Sequence, residues 1–312
     1  MTRVMFMGTP DFAVPTLEAL IGKYNVVCVV SQPDRPKGRG HKMQPTATKE
    51  TALIHGIPVE QPLSFKDGAF QSVLEKYYPD VIVVAAFGRI LPEYVLRYPK
   101  YGCINVHGSI LPKYRGAAPI QWAILNGEKE TGITIMHMAR ELDAGDIIHI
   151  KRTDILPQET SGELFGRLSR LGAEALMEIM DAILDGTAPR KPQDDTLATF
   201  APMIDKNMAL LDFSMSADRF ERYVRGFSPW PTAKIMFRGQ PVKVMKATPG
   251  SCADGTPGTV LEIGRDGITV CCGDGNSVCL KQLQKAGKNT VDAYSFAQGE
   301  HIKTGDNISE ER

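Results

Sequence analysis

Asn105 and His107 stand two residues apart in CINVHGSILP, where an apolar run ends and a loop begins. In a strand, residues i and i+2 point to the same face. The pair therefore leaves the strand end as an amide beside an imidazole. The amide only makes hydrogen bonds, while the imidazole also changes charge near neutral pH. Further on, ELDAGDI brings a carboxylate, Asp143, from a loop. Together the three suit stabilisation of charge on a carbonyl oxygen, with Asp143 orienting the imidazole or relaying protons. Polar residues at a strand end can also be satisfied by nearby backbone. The adjoining LPKYRG loop and Asp143 favour the chemical reading. No GxSxG surrounds Ser109, so attack by a substrate's own nucleophile is simpler than a covalent acyl enzyme.

These side chains need a scaffold. Short β-branched runs alternate with helical patterns through the first half: strands at Val4–Met7, Val26–Ser31, near Ile57, Asp80–Ala86 and Cys103–Val106. Continuous apolar strands separated by helices predict a parallel sheet covered on both faces, with ligands at its carboxyl edge. Thr131–His137 and Asp146–Ile150 add strands. Thr160–Leu184 reads as one helix with Leu164, Leu168, Leu171, Ala175 and Ile179 on a stripe. Beyond DGTAPRKPQDD, a linker by composition, a helix at Ala217–Arg225 precedes short alternating strands with Gly turns, and the last ten or so residues look frayed. The expected architecture is α/β. A Rossmann-like, mostly parallel sheet domain (1–188) leads through a linker (189–206) to a small OB-like β-barrel domain (207–312).

Composition narrows the classes. With 312 residues, 43% hydrophobic and 23% charged, the chain suits two folded domains, and zero net charge means that affinity for a polyanion must be local. No run approaches the roughly 18 apolar residues of a membrane span, and the start lacks a signal-peptide pattern. Six cysteines without CxxC spacing fit reduced thiols, and no histidine pair has metal spacing. A cytoplasmic monomer with neither membrane contact nor metal is expected.

Two further loops follow strands. QPDRPKGRGHKMQP holds Arg35, Lys37, Arg39 and Lys42 with no acidic residue between 35 and 49. Most such runs are solvated surface, but this one follows the second strand at the proposed edge, where it suits phosphate or nucleic acid. FGRILP either places Ile90 and Leu91 in the core or lines a pocket for a planar ligand. GTPDF makes a glycine turn without GxGxxG, which argues against a dinucleotide.

A strand ending Asn105-x-His107, the loop Ser109-Ile110-Leu111-Pro112 and Leu142-Asp143-Ala144-Gly145 resemble the 10-formyltetrahydrofolate-dependent formyltransferases. GTPDFA, QPDRPKGRG, PKYRGAAPIQWAI, TGITIM and SPWPTA resemble the members acting on methionine esterified to initiator tRNA. The likeness covers nearly the whole chain. Ile110, where leucine is usual, is a conservative departure. The resemblance implies catalysis by Asn105, His107 and Asp143. It implies 10-formyltetrahydrofolate held by Arg89, Ile90, Leu91, Ser109, Ile110, Leu111 and Pro112. It also implies tRNA on Arg35, Lys37, Arg39, Lys42 and the C-terminal barrel. Formyl transfer to a small acceptor, such as glycinamide ribonucleotide or an amino sugar nucleotide, and a non-catalytic RNA-binding module are the alternatives.

Overall fold

The computed structural model describes residues 2–37, 42–251 and 254–309. Strands are β1 (Arg3–Gly8), β2 (Asn25–Val30), β3 (Arg35–Lys37), β4 (Lys42–Gln44), β5 (Val59–Glu60), β6 (Val81–Ala85), β7 (Cys103–His107), β8 (Glu130–His137), β9 (Ile147–Asp154), β10 (Lys234–Phe237), β11 (Gln240–Gly250), β12 (Val260–Gly264), β13 (Gly267–Cys271), β14 (Ser277–Lys285) and β15 (Val291–Asp292). Helices are α1 (Val14–Lys23), α2 (Ala47–Ile54), α3 (Gln71–Tyr77), α4 (Glu93–Leu96), α5 (Pro119–Leu125), α6 (Ser161–Asp185), α7 (Ala217–Gly226) and α8 (Ala293–Glu300). Contacts divide the chain into two units. One joins Met1–Pro119, Glu130–Asp154 and Phe165–Pro202; the other joins Ile120–Lys129, Ile155–Leu164 and Met203–Arg312. Among the described residues no helix is long and apolar enough to cross a membrane.

The first unit holds a sheet ordered β5-β2-β1-β6-β7-β8-β9. Strands β5 to β7 are mutually parallel, with Met5 opposite Cys28 and Ile82, and Val84 opposite Asn105. Val4–Met7 and Val81–Ala85 are buried throughout, as their unbroken apolar runs require of a sheet covered on both faces. The sheet is mostly parallel, as expected, and its last two strands turn antiparallel: β8 runs antiparallel to β7, and β9 antiparallel to β8. Parallel pairing needs a crossover helix on the sheet, but residues 120–129, which hold most of α5, cluster with the second unit.

Helix α6 begins on a reciprocal cap. Thr160 N donates to Glu163 Oε2 at 2.8 Å, and Glu163 N donates to Thr160 Oγ1 at 3.3 Å. The Thr160 N–H, joined by the Thr160 hydroxyl donating to the same oxygen at 2.8 Å, pulls the Glu163 carboxyl below its usual range. The buried stripe drifts from the expected one: Leu164, Leu168 and Ala175 are buried, but then Leu176, Met180 and Ile183 replace Leu171 and Ile179. Gly172 brings the helix close to β7, because a Cβ there would lie 2.8 Å from Val106 Cγ1. The helix thus sits tightly on the strand that carries Asn105 and His107.

The second unit is an antiparallel sheet ordered β10-β11-β14-β13-β12, with β15 beside β14. Phe213 and Phe220 stack at 5.0 Å in its core. Helix α7 starts on Ser216, whose side chain accepts from Arg219 N, and α8 on Asp292, whose side chain accepts from Ser295 N. The described part of the C-terminal tail, to Ser309, is packed where fraying was expected. Ile308 is buried, and Val260 N donates to Asp306 O at 2.8 Å. Residues 310–312 lie outside the described residues.

Candidate active site

The carboxyl ends of β1, β6 and β7 form the edge where the strand order reverses. Gly8 lets β1 end there: a Cβ would lie 2.7 Å from both Ala13 Cβ and the Phe6 ring. Gln32, after β2, donates through Nε2 to Phe87 O at 2.8 Å, and Thr9 Oγ1 donates to the same carbonyl at 3.3 Å. The turns after β1, β2 and β6 are therefore knitted together beside the end of β7.

Asn105 and His107 share a face of β7, opposite Met136 and Thr134 of β8. His107 is more enclosed than an open cleft would leave it, at 5% exposure. Its Nε2 lies 3.0 Å from Tyr114 O. A carbonyl only accepts, so Nε2 carries a proton and Nδ1 is the nitrogen left to change state. Nδ1 lies 3.7 Å from Asp143 Oδ2. Among the described residues the Asn105 amide has no hydrogen-bond partner.

Asp143 arrives by a route the sequence does not announce. Strand β8 ends with His137 opposite Ile104, near the start of β7, three residues or roughly 10 Å from His107. The following loop folds back to cover that distance. Gly145 permits the fold, since a Cβ there would lie 1.9 Å from His137 O. Asp143 sits at φ +50°, a left-handed conformation uncommon for a residue with a side chain. Its Oδ2 accepts from Gly116 N at 2.8 Å.

The loop after β7 is internally braced. Ser109 is fully buried and its hydroxyl donates to Lys113 O at 2.7 Å. Thr134 Oγ1 donates to Ser109 O at 2.7 Å and accepts from Leu111 N at 3.1 Å. Leu111 is buried, and Ile110 and Pro112 are half-buried. On the loop after β6, Leu91 is buried, Ile90 is 79% exposed and Arg89 Nη1 donates to Leu63 O at 2.8 Å. Thr134, Tyr114 and Gly116 escaped the sequence reading because they act through backbone or from a neighbouring strand. No local signal marks Thr134, because its place beside the loop depends on the antiparallel register of β8 against β7.

The basic loop is not wholly irregular: Arg35–Lys37 pairs antiparallel with Lys42–Gln44. Arg35 Nη2 donates to Gln32 Oε1 at 3.1 Å. Arg39 lies outside the described residues, as do the side chains of Lys37 and Lys42. Lys49 is bound to Asp34 at 2.6 Å, which, with Gln61, holds that carboxyl below its usual range. On the second unit Arg225 pairs with Glu221, and Arg238 donates to Glu300 O at 2.9 Å. A cavity of about 320 Å³ opens at the other end of β7, lined by Gly102, Cys103, His137 and Arg190 among others, and includes none of the three proposed catalytic residues.

Two family models match the chain: formyl transferase over residues 2–180, and formyl transferase, C-terminal domain, over 203–301. The chain belongs to the formyl transferase family. It is 46% identical over 304 residues to the methionyl-tRNA formyltransferase of Trichlorobacter lovleyi, covering 97% of this chain and 96% of that protein. The methionyl-tRNA formyltransferase of Myxococcus xanthus is 46% identical over 303 residues, with 97% and 96% covered. Among solved structures, the N-formyltransferase of Helicobacter canadensis, in complex with folinic acid and dTDP-3-aminofucose, superposes with a TM-score of 0.67 at 19% identity, covering 91% of this chain and 100% of that one. That likeness concerns the fold.

Proposed function

We propose that this chain is an enzyme that moves the formyl group of 10-formyltetrahydrofolate onto the amino group of methionine esterified to initiator tRNA. The product is N-formylmethionyl-tRNA for translation initiation in the cytoplasm. The observation that carries the reading is identity of 46% running end to end through both chains. The site supports it, since it offers polar groups suited to a carbonyl and no activated nucleophile of its own.

The formyl donor supplies the carbon that the amine attacks. The Asn105 amide donates to the formyl oxygen as charge develops there, an effect worth about 3–4 kcal/mol for a well-placed donor. The His107 imidazolium adds positive charge. Its Nε2–H stays on Tyr114 O, which fixes the ring, and Asp143 balances the charge from 3.7 Å and accepts the amine proton directly or through water. The tetrahedral intermediate then collapses: the bond from the formyl carbon to the tetrahydrofolate nitrogen breaks, and that nitrogen leaves protonated, taking the proton lost by the amine. Exposed Ile90 and Leu142, with the Arg89–Leu91 and Ser109–Pro112 loops, suit the apolar wall and backbone edge that a pterin needs. Arg35, Lys37, Arg39 and Lys42 meet tRNA phosphates.

The test is to incubate the protein with 10-formyltetrahydrofolate and methionyl initiator tRNA, and separately with glycinamide ribonucleotide. Formyl transfer to the tRNA is expected. Transfer to the small acceptor alone would replace this reading, and transfer to neither would leave a binding protein.

A further inference from the structure

We propose that Gln193, backed by Arg115, is a positioning residue that fixes where the Asp143 carboxylate sits. By composition Gln193 belongs to the stretch that joins the domains, with no chemical motif around it. Its Nε2 donates to Asp143 O at 2.8 Å and to Gly145 O at 2.8 Å. Its Oε1 accepts from Arg115 Nε at 3.1 Å and Nη2 at 2.8 Å. The orientation of the amide follows from chemistry. A guanidinium only donates, so the atom facing it is oxygen, and the nitrogen must face the two carbonyls, which only accept.

Arg115 is itself anchored. Its guanidinium is buried and its Nη2 also donates to Asp195 Oδ1 at 2.7 Å. Its backbone N donates to Thr199 O at 2.8 Å and its carbonyl accepts from Ala201 N at 2.7 Å. The next residue, Gly116, donates its N–H to Asp143 Oδ2. Asp143 is therefore gripped twice by one assembly, at its backbone carbonyl through Gln193 and at its carboxylate through Gly116. The grip holds a non-glycine residue at φ +50°, a conformation that persists only when its surroundings impose it. The joining segment is thus built into the catalytic loop.

The inference rests on the proposed formyl transfer for its kinetic readout, and the exchange rate of the Gly116 amide provides one that does not. Gln193→Ala removes both donors and the acceptor. Gln193→Glu keeps the size and the Arg115 contact but sets an acceptor against the two carbonyls. In the full-length protein both variants should lower kcat at least about 10-fold, with KM for donor and tRNA within about 3-fold of wild type. Both should also speed Gly116 amide exchange at least about 10-fold while β7 and β8 amides stay protected. If Gln193→Ala fails to fold, Gln193→Glu decides. A folded variant with kcat within 2-fold of wild type, or with unchanged Gly116 exchange, overturns the proposal. A wild-type protein that transfers no formyl group defeats the functional reading instead, and Gly116 exchange still decides the positioning.

Discussion

His107 is held between two acceptors: Nε2 lies 3.0 Å from Tyr114 O, and Nδ1 lies 3.7 Å from Asp143 Oδ2. The first contact fixes the tautomer. The second is too long for a hydrogen bond and short enough for ion pairing once the ring is charged. His107→Ala, Asn105→Ala and Asp143→Ala are each expected to cost at least about 100-fold in kcat while the fold survives, as loss of a transition-state contact should. Circular dichroism and single-turnover formyl transfer check this. Near-native turnover in any variant removes that residue from the mechanism.

The inner sheet was legible because β1, β6 and β7 are unbroken apolar runs that only burial on both faces explains. Asn105 and His107 were legible because strand periodicity alone puts them on one face. The antiparallel edge was not, since the apolar pattern of β8 is the same in either direction. Asp143 could be picked out by its motif, but its route could not, because φ +50° and the bond from Gly116 depend on residues far away in sequence. The grip of Gln193 on the loop has no local signature either.

Arg35 lies on the proposed tRNA side of the first unit, exposed and bonded to Gln32 Oε1 rather than to a carboxylate. Arg35→Ala and Arg39→Ala should each weaken tRNA binding and reduce its salt slope by about one unit. Folate binding should stay nearly unchanged. Filter binding across a salt series decides, and variants silent at every salt concentration would mark the loop as merely solvated.

Burial pushes the Cys28, Cys103 and Cys272 thiols up to about 12. At pH 8 such a thiol is thiolate in only about one molecule in 10⁴. Native protein should therefore resist iodoacetamide at these three positions, as peptide mapping would reveal. Between the ordinary thiol value, near 9, and about 12 the folded state holds protons that the unfolded state has lost, so stability falls as pH rises through that window. Cys28→Ala should flatten this alkaline loss in urea titrations. Equal slopes for variant and wild type would contradict it.

Burial, reinforced by the Arg190 guanidinium, pushes the His137 imidazole below its usual range, against a smaller opposing pull from Asp146. The folded state therefore holds His137 neutral where the unfolded chain would protonate it. Its contribution to stability is present above the ordinary histidine value and lost as pH falls through the lowered one. Arg190→Ala should raise the His137 titration midpoint in NMR and reduce acid destabilisation. A midpoint that stays put or moves down would show that Arg190 has no such effect.

Gly145 sets the return of the Asp143 loop toward β7. A Cβ there would lie 1.9 Å from His137 O and 2.9 Å from His137 C, and backbone atoms of a paired strand do not yield as a flexible side chain would. Gly145→Ala must therefore move residues 138–146, and Asp143 lies two positions upstream on the same turn. The expected cost is about 1–3 kcal/mol of stability from forced backbone shifts, with a loss of kcat approaching that of Asp143→Ala. Gly22→Ala is the control, because nothing lies within 4 Å of a Cβ at this position in α1. It should instead stabilise the protein by about 0.5–1 kcal/mol, as alanine does in a helix, and leave kcat alone. Thermal melts and kinetics on the two variants settle the matter. A Gly145→Ala enzyme with wild-type melting and turnover would mean that the loop reaches Asp143's position without the close approach the structure requires of it.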